Sequence, residues 1–117
     1  MFSNARLVGD QFFISGMHAG TPEGPVGGDD TYQQSVEAFR RVAELARACG
    51  ASVDDIVVLR IYLTDIEDKA AVGRAREELF TGDFPCSTLV EVSRLVEPAL
   101  KVEIEAQGVR HSAAVPA

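Results

Sequence analysis

Tryptophan is absent from this 117-residue chain, cysteine and histidine occur only twice each, and no long apolar run is present. Each shortage closes a class of function. Cys49 and Cys86 show neither C-x-x-C nor metal-ligand spacing, so each reads first as a small buried hydrophobe, one ending a helix and the other preceding a strand. His18 falls in a loop and His111 in the tail; with no third histidine or nearby cysteine, no zinc site is expected. No stretch approaches the roughly 20 apolar residues that cross a bilayer, and residues 1–6 lack a basic leader followed by an apolar run. The expectation is a cytoplasmic protein with no membrane partner. Lys and Arg number 11 against 18 Asp and Glu, a net charge of −7. Nucleic-acid binding draws most of its affinity from cations that neutralise phosphates, and with no basic stripe here nucleic acid is not an expected partner.

What is present is the makeup of one globular unit. With 46% hydrophobic and 25% charged residues, the chain can bury one modest core. Residues 1–110 read as a single domain and residues 111–117 as an untethered tail. Ala5–Val8 and Gln11–Ser15 flank Gly9-Asp10 as a hairpin. The glycine-rich stretch from Gly16 to Asp30 reads as a loop, able to serve as a mobile lip. Asp30 or Thr31 caps a helix with Tyr32, Val36, Phe39, Ala43 and Ala46 as its apolar stripe, ended by Gly50. The β-branched run Ile56–Leu63 reads as a central strand. A second helix starts at Asp65 or Asp68, buries Val72, Ala75, Leu79 and Phe80, and stops at Gly82. Two alternating segments, Pro85–Val92 and Leu100–Ala106, close the chain as strands.

The order ββαβαββ predicts an α+β two-layer sandwich, a mixed β-sheet with both helices on one face. Val57, Leu59, Ile61 and Leu63 suit the helix side, as do Thr88, Val90, Val92, Val102, Ile104 and Ala106. The opposite, mixed face then carries Arg60, Tyr62, Ser87, Leu89, Glu91, Lys101, Glu103 and Glu105. Tyr62 and Leu89, apolar surface among charges, would gain from self-association.

Several segments together resemble one family. Gln11-Phe12-Phe13-Ile14-Ser15-Gly16, Arg60-Ile61-Tyr62-Leu63-Thr64-Asp65, Pro85-Cys86-Ser87-Thr88 and Val102-Glu103-Ile104-Glu105-Ala106 are similar, in order and spacing, to the RidA (YjgF/YER057c/UK-type) enamine and imine deaminases. The resemblance implies a chorismate-mutase-like fold, a homotrimer whose sheets form a central barrel, small-molecule clefts between subunits, and hydrolysis of reactive imines without a cofactor. It also implies site residues. Ser15 matches a cleft serine, and Glu103 matches the carboxylate that helps position water, the expected catalytic group. Where the family has a tyrosine, an asparagine and a carboxylate-gripping arginine, this chain has Phe2, Gly73 and Ser87, with Cys86 and Thr88 beside the last.

A serine cannot replace the charge or the fork of a guanidinium, so a 2-iminocarboxylate is a poor candidate substrate. Arg60 either supplies a substitute cation or, more simply, pairs with Glu91, Glu103 or Glu105. Glu103 either moves protons to and from water or satisfies Arg60, Lys101 and an adjoining subunit. Gly73, costing roughly 1 kcal/mol against alanine inside a helix, marks close approach by a ligand or by another chain. Two functions follow: a cofactor-independent hydrolase or deaminase of a small imine, enamine or related metabolite, and a non-catalytic homotrimer binding a small metabolite in the same clefts. RNA cleavage fits poorly with an acidic chain that has neither a histidine pair nor a metal cluster.

Overall fold

The computed structural model describes residues 1–113, which leaves 114–117 of the expected tail outside the described residues. β1 (Ala5–Val8) and β2 (Gln11–Met17) form the hairpin; α1 (Thr31–Ala48), β3 (Ile56–Leu63), α2 (Lys69–Leu79), β4 (Cys86–Glu91) and β5 (Val102–Val109) follow. The sheet order is β1-β2-β5-β3-β4. Only the β3–β4 pair is parallel, joined through α2, so the sheet is mixed as expected. Both helices pack on one face.

α1 forms because Asp30 caps it, its carboxylate accepting from Gln33 N–H at 3.0 Å, and because Ala38, Phe39, Val42, Ala43 and Ala46 bury one stripe. Val36, expected in that stripe, is 41% exposed. The buried face is centred on Ser35, Ala38 and Val42 instead, which turns Val36 outward. A buried polar side chain escaped the apolar pattern. Gln34 is fully buried; its amide donates to Gly28 and Ala99 carbonyls and its own carbonyl accepts from Lys101 N–H. This fully bonded group ties the loop before α1 to the start of β5. Arg41 adds a second tie, Nη1 donating to the His18 and Gly20 carbonyls, so the expected lip is anchored at its base.

The core lies between helices and sheet. Leu59, Ile61 and Leu63 of β3 and Val102, Ile104 and Ala106 of β5 are buried there, against Phe12, Phe39, Val42 and Val72. Val57 is not among them. The β3–β5 register shifts between Ile56 and Val58, so Ile56 takes the inward place and Val57 is 46% exposed.

β4 corrects a larger expectation. Its parallel register sets Ser87 beside Leu59 and Leu89 beside Ile61, whereas Thr88 pairs with Arg60 and Val90 with Tyr62. Register partners share a sheet face. Leu89 therefore packs on the core, Ser87 lies on the helix side, and Thr88 and Val90 occupy the open face, the reverse of the expected phase. Leu89 and Val90 are adjacent and both apolar, and an edge strand has little cover to favour one phase over the other. Glu91 falls in the phase of Leu63, and its carboxylate accepts from Ile66 N–H at the turn after β3.

The first residues of the tail are held. The Asp55 carboxylate accepts from Ser112 and Ala113 N–H at 3.1 and 3.0 Å. Burial opposes its charge, but backbone donors from Ser52, Ala113, His111 and Ser112 outweigh that and keep its pKa below the ordinary value.

Candidate functional site

On the open face, β3 and β5 present Arg60, Tyr62, Glu103, Glu105 and Gln107, all half-buried. Tyr62 Oη donates a short hydrogen bond to Glu105 Oε1. That bond to a carboxylate, then burial, raises the phenol pKa. Arg60 Nη1 donates to Gln107 Oε1 at 2.6 Å. Among the described residues it has no carboxylate within ion-pair distance, so the expected pairing with Glu91, Glu103 or Glu105 gives way to an amide partner. A cavity of about 570 Å³ opens here, lined by Arg60, Glu105, Gln107, Phe13, Ser15 and Ser3 among others.

Glu103 stands opposite Tyr62 in the register of β5 and β3. Its side chain lies across Gly16: a methyl group at that residue would come within 2.6 Å of Glu103 Oε2. The irregular register of β2 between Ile14 and Met17 brings this Ser15-Gly16 step against β5. Ser15 Oγ donates to the Ser3 carbonyl at 2.6 Å and Ser15 N–H to Asn4 O at 2.9 Å. The serine proton is thus engaged by the N-terminal segment, and its oxygen keeps lone pairs to accept from a ligand. Glu103 accepts no protein hydrogen bond within the described residues, in contrast to Glu105.

A second group forms at the sheet edge. Arg76 on α2 donates from Nη1 to Ser87 Oγ at 2.9 Å. The helix passes Gly73 one turn earlier, where an added methyl would sit 3.7 Å from Arg76 Nη2, in ordinary contact. Arg76, Glu77, Phe84, Pro85 and Ser87 line a cavity of about 400 Å³. Cys86 is an exposed free thiol and Cys49 a half-buried one, so the buried reading fails for Cys86. Phe2 is 81% exposed in the coil before β1.

The protomer thus lays Glu103 over Gly16, the residue after Ser15, and joins Ser87 to Arg76 one helical turn from Gly73, but does not bring the two groups to each other. Glu103 is on the open face and Ser87 on the helix side, two strands away across β3. Thr88 and Arg60 share the open face as register partners. Three contributors were not singled out from the sequence: Gly16, Gln107 and Arg76. Gln107 continues the two-residue phase of Glu103 and Glu105, and Arg76 follows Gly73 by one helical turn; both signals are simple periodicities. Among the described residues no group of three or more His, Cys, Asp or Glu side chains could hold a metal ion, and no helix is long and apolar enough to cross a membrane.

These features define a two-layer α+β domain whose chemistry-bearing side chains lie on an uncovered sheet face and at one sheet edge. A family model described as Endoribonuclease L-PSP matches residues 1–109. The chain belongs to that family, which is also the RidA/YjgF family. It is similar to the 2-iminobutanoate/2-iminopropanoate deaminase of Escherichia coli K12, 33% identical over 109 residues that span 88% of this chain and 82% of that one. A protein of unknown function from Pseudomonas aeruginosa, PA3499, superposes with a TM-score of 0.88 at 39% identity, over 99% of this chain and 86% of that one. The YjgF gene product of E. coli superposes with a TM-score of 0.86 at 30% identity, over 95% and 89%.

Proposed function

We propose that the chain is a cofactor-independent hydrolase that deaminates a small reactive imine or enamine in clefts between the subunits of a homotrimer. The observation that carries this reading is the Glu103 carboxylate, unbonded among the described residues and laid over Gly16, the residue after Ser15. A carboxylate so held can take a proton from water as the water oxygen bonds to the imine carbon. With the imine entering protonated on nitrogen, this addition gives a carbinolamine; the proton returned from Glu103 to its nitrogen makes ammonia the leaving group, and the C–N bond breaks as the carbinolamine hydroxyl gives its own proton back to the carboxylate, leaving a carbonyl compound. Base, water and orientation suffice for this sequence. An enamine enters it once protonated at carbon. The similarity to a relative named as an imine deaminase supports the reaction class.

Assembly follows from the open face. Tyr62, Val90 and Phe13 are apolar surface among charges, and two further copies would cover them. The split between Glu103 and Ser87 supports the same reading, since two neighbouring chains can supply what one protomer keeps on opposite sides of its sheet. β4 carries no guanidinium of its own, so this strand by itself gives no preference for an imino acid. The family description names RNA cleavage, but the acidic charge and the absence of a histidine pair disfavour it.

The experiment follows ammonia release from imines generated in place, uncharged ones by an amine oxidase and acidic ones by an amino-acid oxidase. The wild-type chain should accelerate hydrolysis over the free-solution rate, and Glu103→Gln should lose about 100-fold of that rate. No acceleration by the wild type, combined with calorimetric binding of a small carbonyl compound, would favour the non-catalytic metabolite-binding homotrimer instead.

A further inference from the structure

Toward Gln107, the open face carries a second set of groups that the proposed hydrolysis leaves idle. Register places Arg6 beside Phe13 across β1 and β2, Phe13 beside Gln107 across β2 and β5, and Arg60 beside Glu105 across β5 and β3. Register partners share a face, so both arginines project from the open side. Arg60 leans from β3 over β5, its Nη1 donating to Gln107 Oε1 at 2.6 Å. That bond turns the guanidinium toward the Arg6 side and leaves the amide N–H groups of Gln107 free to donate. Acidic side chains outnumber basic ones by 18 to 11, yet neither arginine lies within ion-pair distance of a carboxylate among the described residues. Glu105, which lines the same cavity of about 570 Å³, takes the Tyr62 hydroxyl instead. The floor between the cations is apolar: Phe13 and Val8 line it, 37% and 53% exposed. Two like charges gathered at one apolar floor repel each other, a cost that an anion shared between them removes.

We propose that this cavity binds a small phosphomonoester with an apolar body, the phosphoryl group held between Arg6 and Arg60 and the body laid on Phe13 and Val8. A phosphate dianion presents three acceptor oxygens, enough for a guanidinium fork on either side and the Gln107 amide between them. A carboxylate offers one charge and two oxygens, and leaves one cation unmatched. Arg6 on β1 and Arg60 on β3 start three strand spacings apart, about 14 Å across the sheet, a gap that two extended arginine side chains and one phosphate close. Ser15 borders this cavity and Glu103 does not, so a bound phosphomonoester leaves the proposed proton carrier untouched. The site therefore stands without the hydrolase reading. In the proposed assembly the ligand is enclosed together with the open face, and its binding stabilises the folded form.

The test is calorimetric titration of the full chain with phenyl phosphate, inorganic phosphate and benzoate, at a slightly alkaline pH where the phosphates are dianions. Phenyl phosphate should bind most tightly, inorganic phosphate less tightly because it has no body to set on Phe13, and benzoate least because it carries one charge. Phenyl phosphate should also raise the melting temperature and move the amide NMR resonances of Phe13, Arg60 and Gln107. Arg6→Gln and Arg60→Gln should each weaken its binding about 10- to 100-fold, and Gln107→Leu a few-fold. Light scattering and circular dichroism check that each variant keeps its assembly and fold. If Arg60→Gln disturbs either, Arg6→Gln and Arg60→Lys carry the test, the latter keeping the charge without the fork and weakening binding less. No phenyl phosphate binding by the wild type, benzoate bound as tightly, inorganic phosphate bound as tightly, or unchanged affinity in folded Arg6→Gln and Arg60→Lys overturns the proposal. Disrupted assembly in both Gln variants, with no phosphate bound by the wild type, would assign the two arginines to carboxylates of a neighbouring copy instead. The hydrolase reading fails separately. Glu103→Gln should bind phenyl phosphate like the wild type whether or not any imine is hydrolysed, and loss of binding in that variant would merge the two sites and overturn the proposal.

Discussion

On β3 and β5, side chains one residue apart meet opposite surroundings. Leu59, Ile61, Leu63 and Ile104 are fully buried under the helices, whereas Arg60, Tyr62, Glu103 and Glu105 stand half-buried on the other face. The helix side is apolar and closed within one protomer. The open side is a polar network, Tyr62 to Glu105 and Arg60 to Gln107, next to Glu103, whose carboxylate has no hydrogen-bond partner among the described residues. The first face holds the fold together and the second holds groups with bonding capacity to spare. Stability and activity should therefore respond to different residues of the same strands.

The largest effect expected is on the closed face. Ile61→Ala should lower the free energy of unfolding by about 3 kcal/mol, since deletion of a fully buried branched side chain leaves a cavity. Tyr62→Phe, one residue along, removes a single hydrogen bond and should cost about 1 kcal/mol. Urea denaturation at equal protein concentration measures both, and equal costs would break the distinction between the faces.

Next comes Gly16→Ala. The added methyl meets the Glu103 side chain from Cγ outward, at 2.6 to 2.9 Å, and a flexible side chain can turn away from it, so the melting temperature should fall only modestly. Glu103 must nevertheless move, and turnover should fall about as far as in Glu103→Gln, roughly 100-fold. A Gly16→Ala variant with full turnover would detach Glu103 from the reaction.

Asp55 gives a smaller, pH-dependent term. Its folded pKa is depressed, so its contribution is complete above the ordinary value of 3.8 and is lost as pH falls through the lower folded value. Thermal melts should show Asp55→Asn flattening part of the acid loss of stability; identical profiles would contradict that. Smallest is Gly73→Ala, expected to stabilise α2 by roughly 1 kcal/mol because the methyl meets nothing closer than Arg76. Destabilisation there would reveal another chain packed against the helix.

Much of this was legible from alternation and caps. The hairpin, the Asp30 cap, and the phases of Leu59–Leu63 and Val102–Ala106 follow from side-chain periods that burial enforces on a strand with neighbours on both sides. β4 has one neighbour and adjacent apolar residues, so its phase was set by pairing with β3 rather than by its own pattern. Val57 was lost to a register shift, which no single-residue propensity encodes. In the site, Ser15 and Glu103 stood out only because their segments resemble the family's. Arg76 was not, because its contact with Ser87 depends on how a long side chain crosses from helix to strand.

Glu103 is the group on which the proposed hydrolysis turns, and turnover set beside binding tests it most directly. Glu103→Gln, shown by light scattering to keep the wild-type assembly, should lose about 100-fold of the imine-hydrolysis rate, while its calorimetric affinity for a small non-reacting carbonyl compound changes only a few-fold. Undiminished turnover in a variant of unchanged assembly would contradict the proposal and make Glu103 a structural residue.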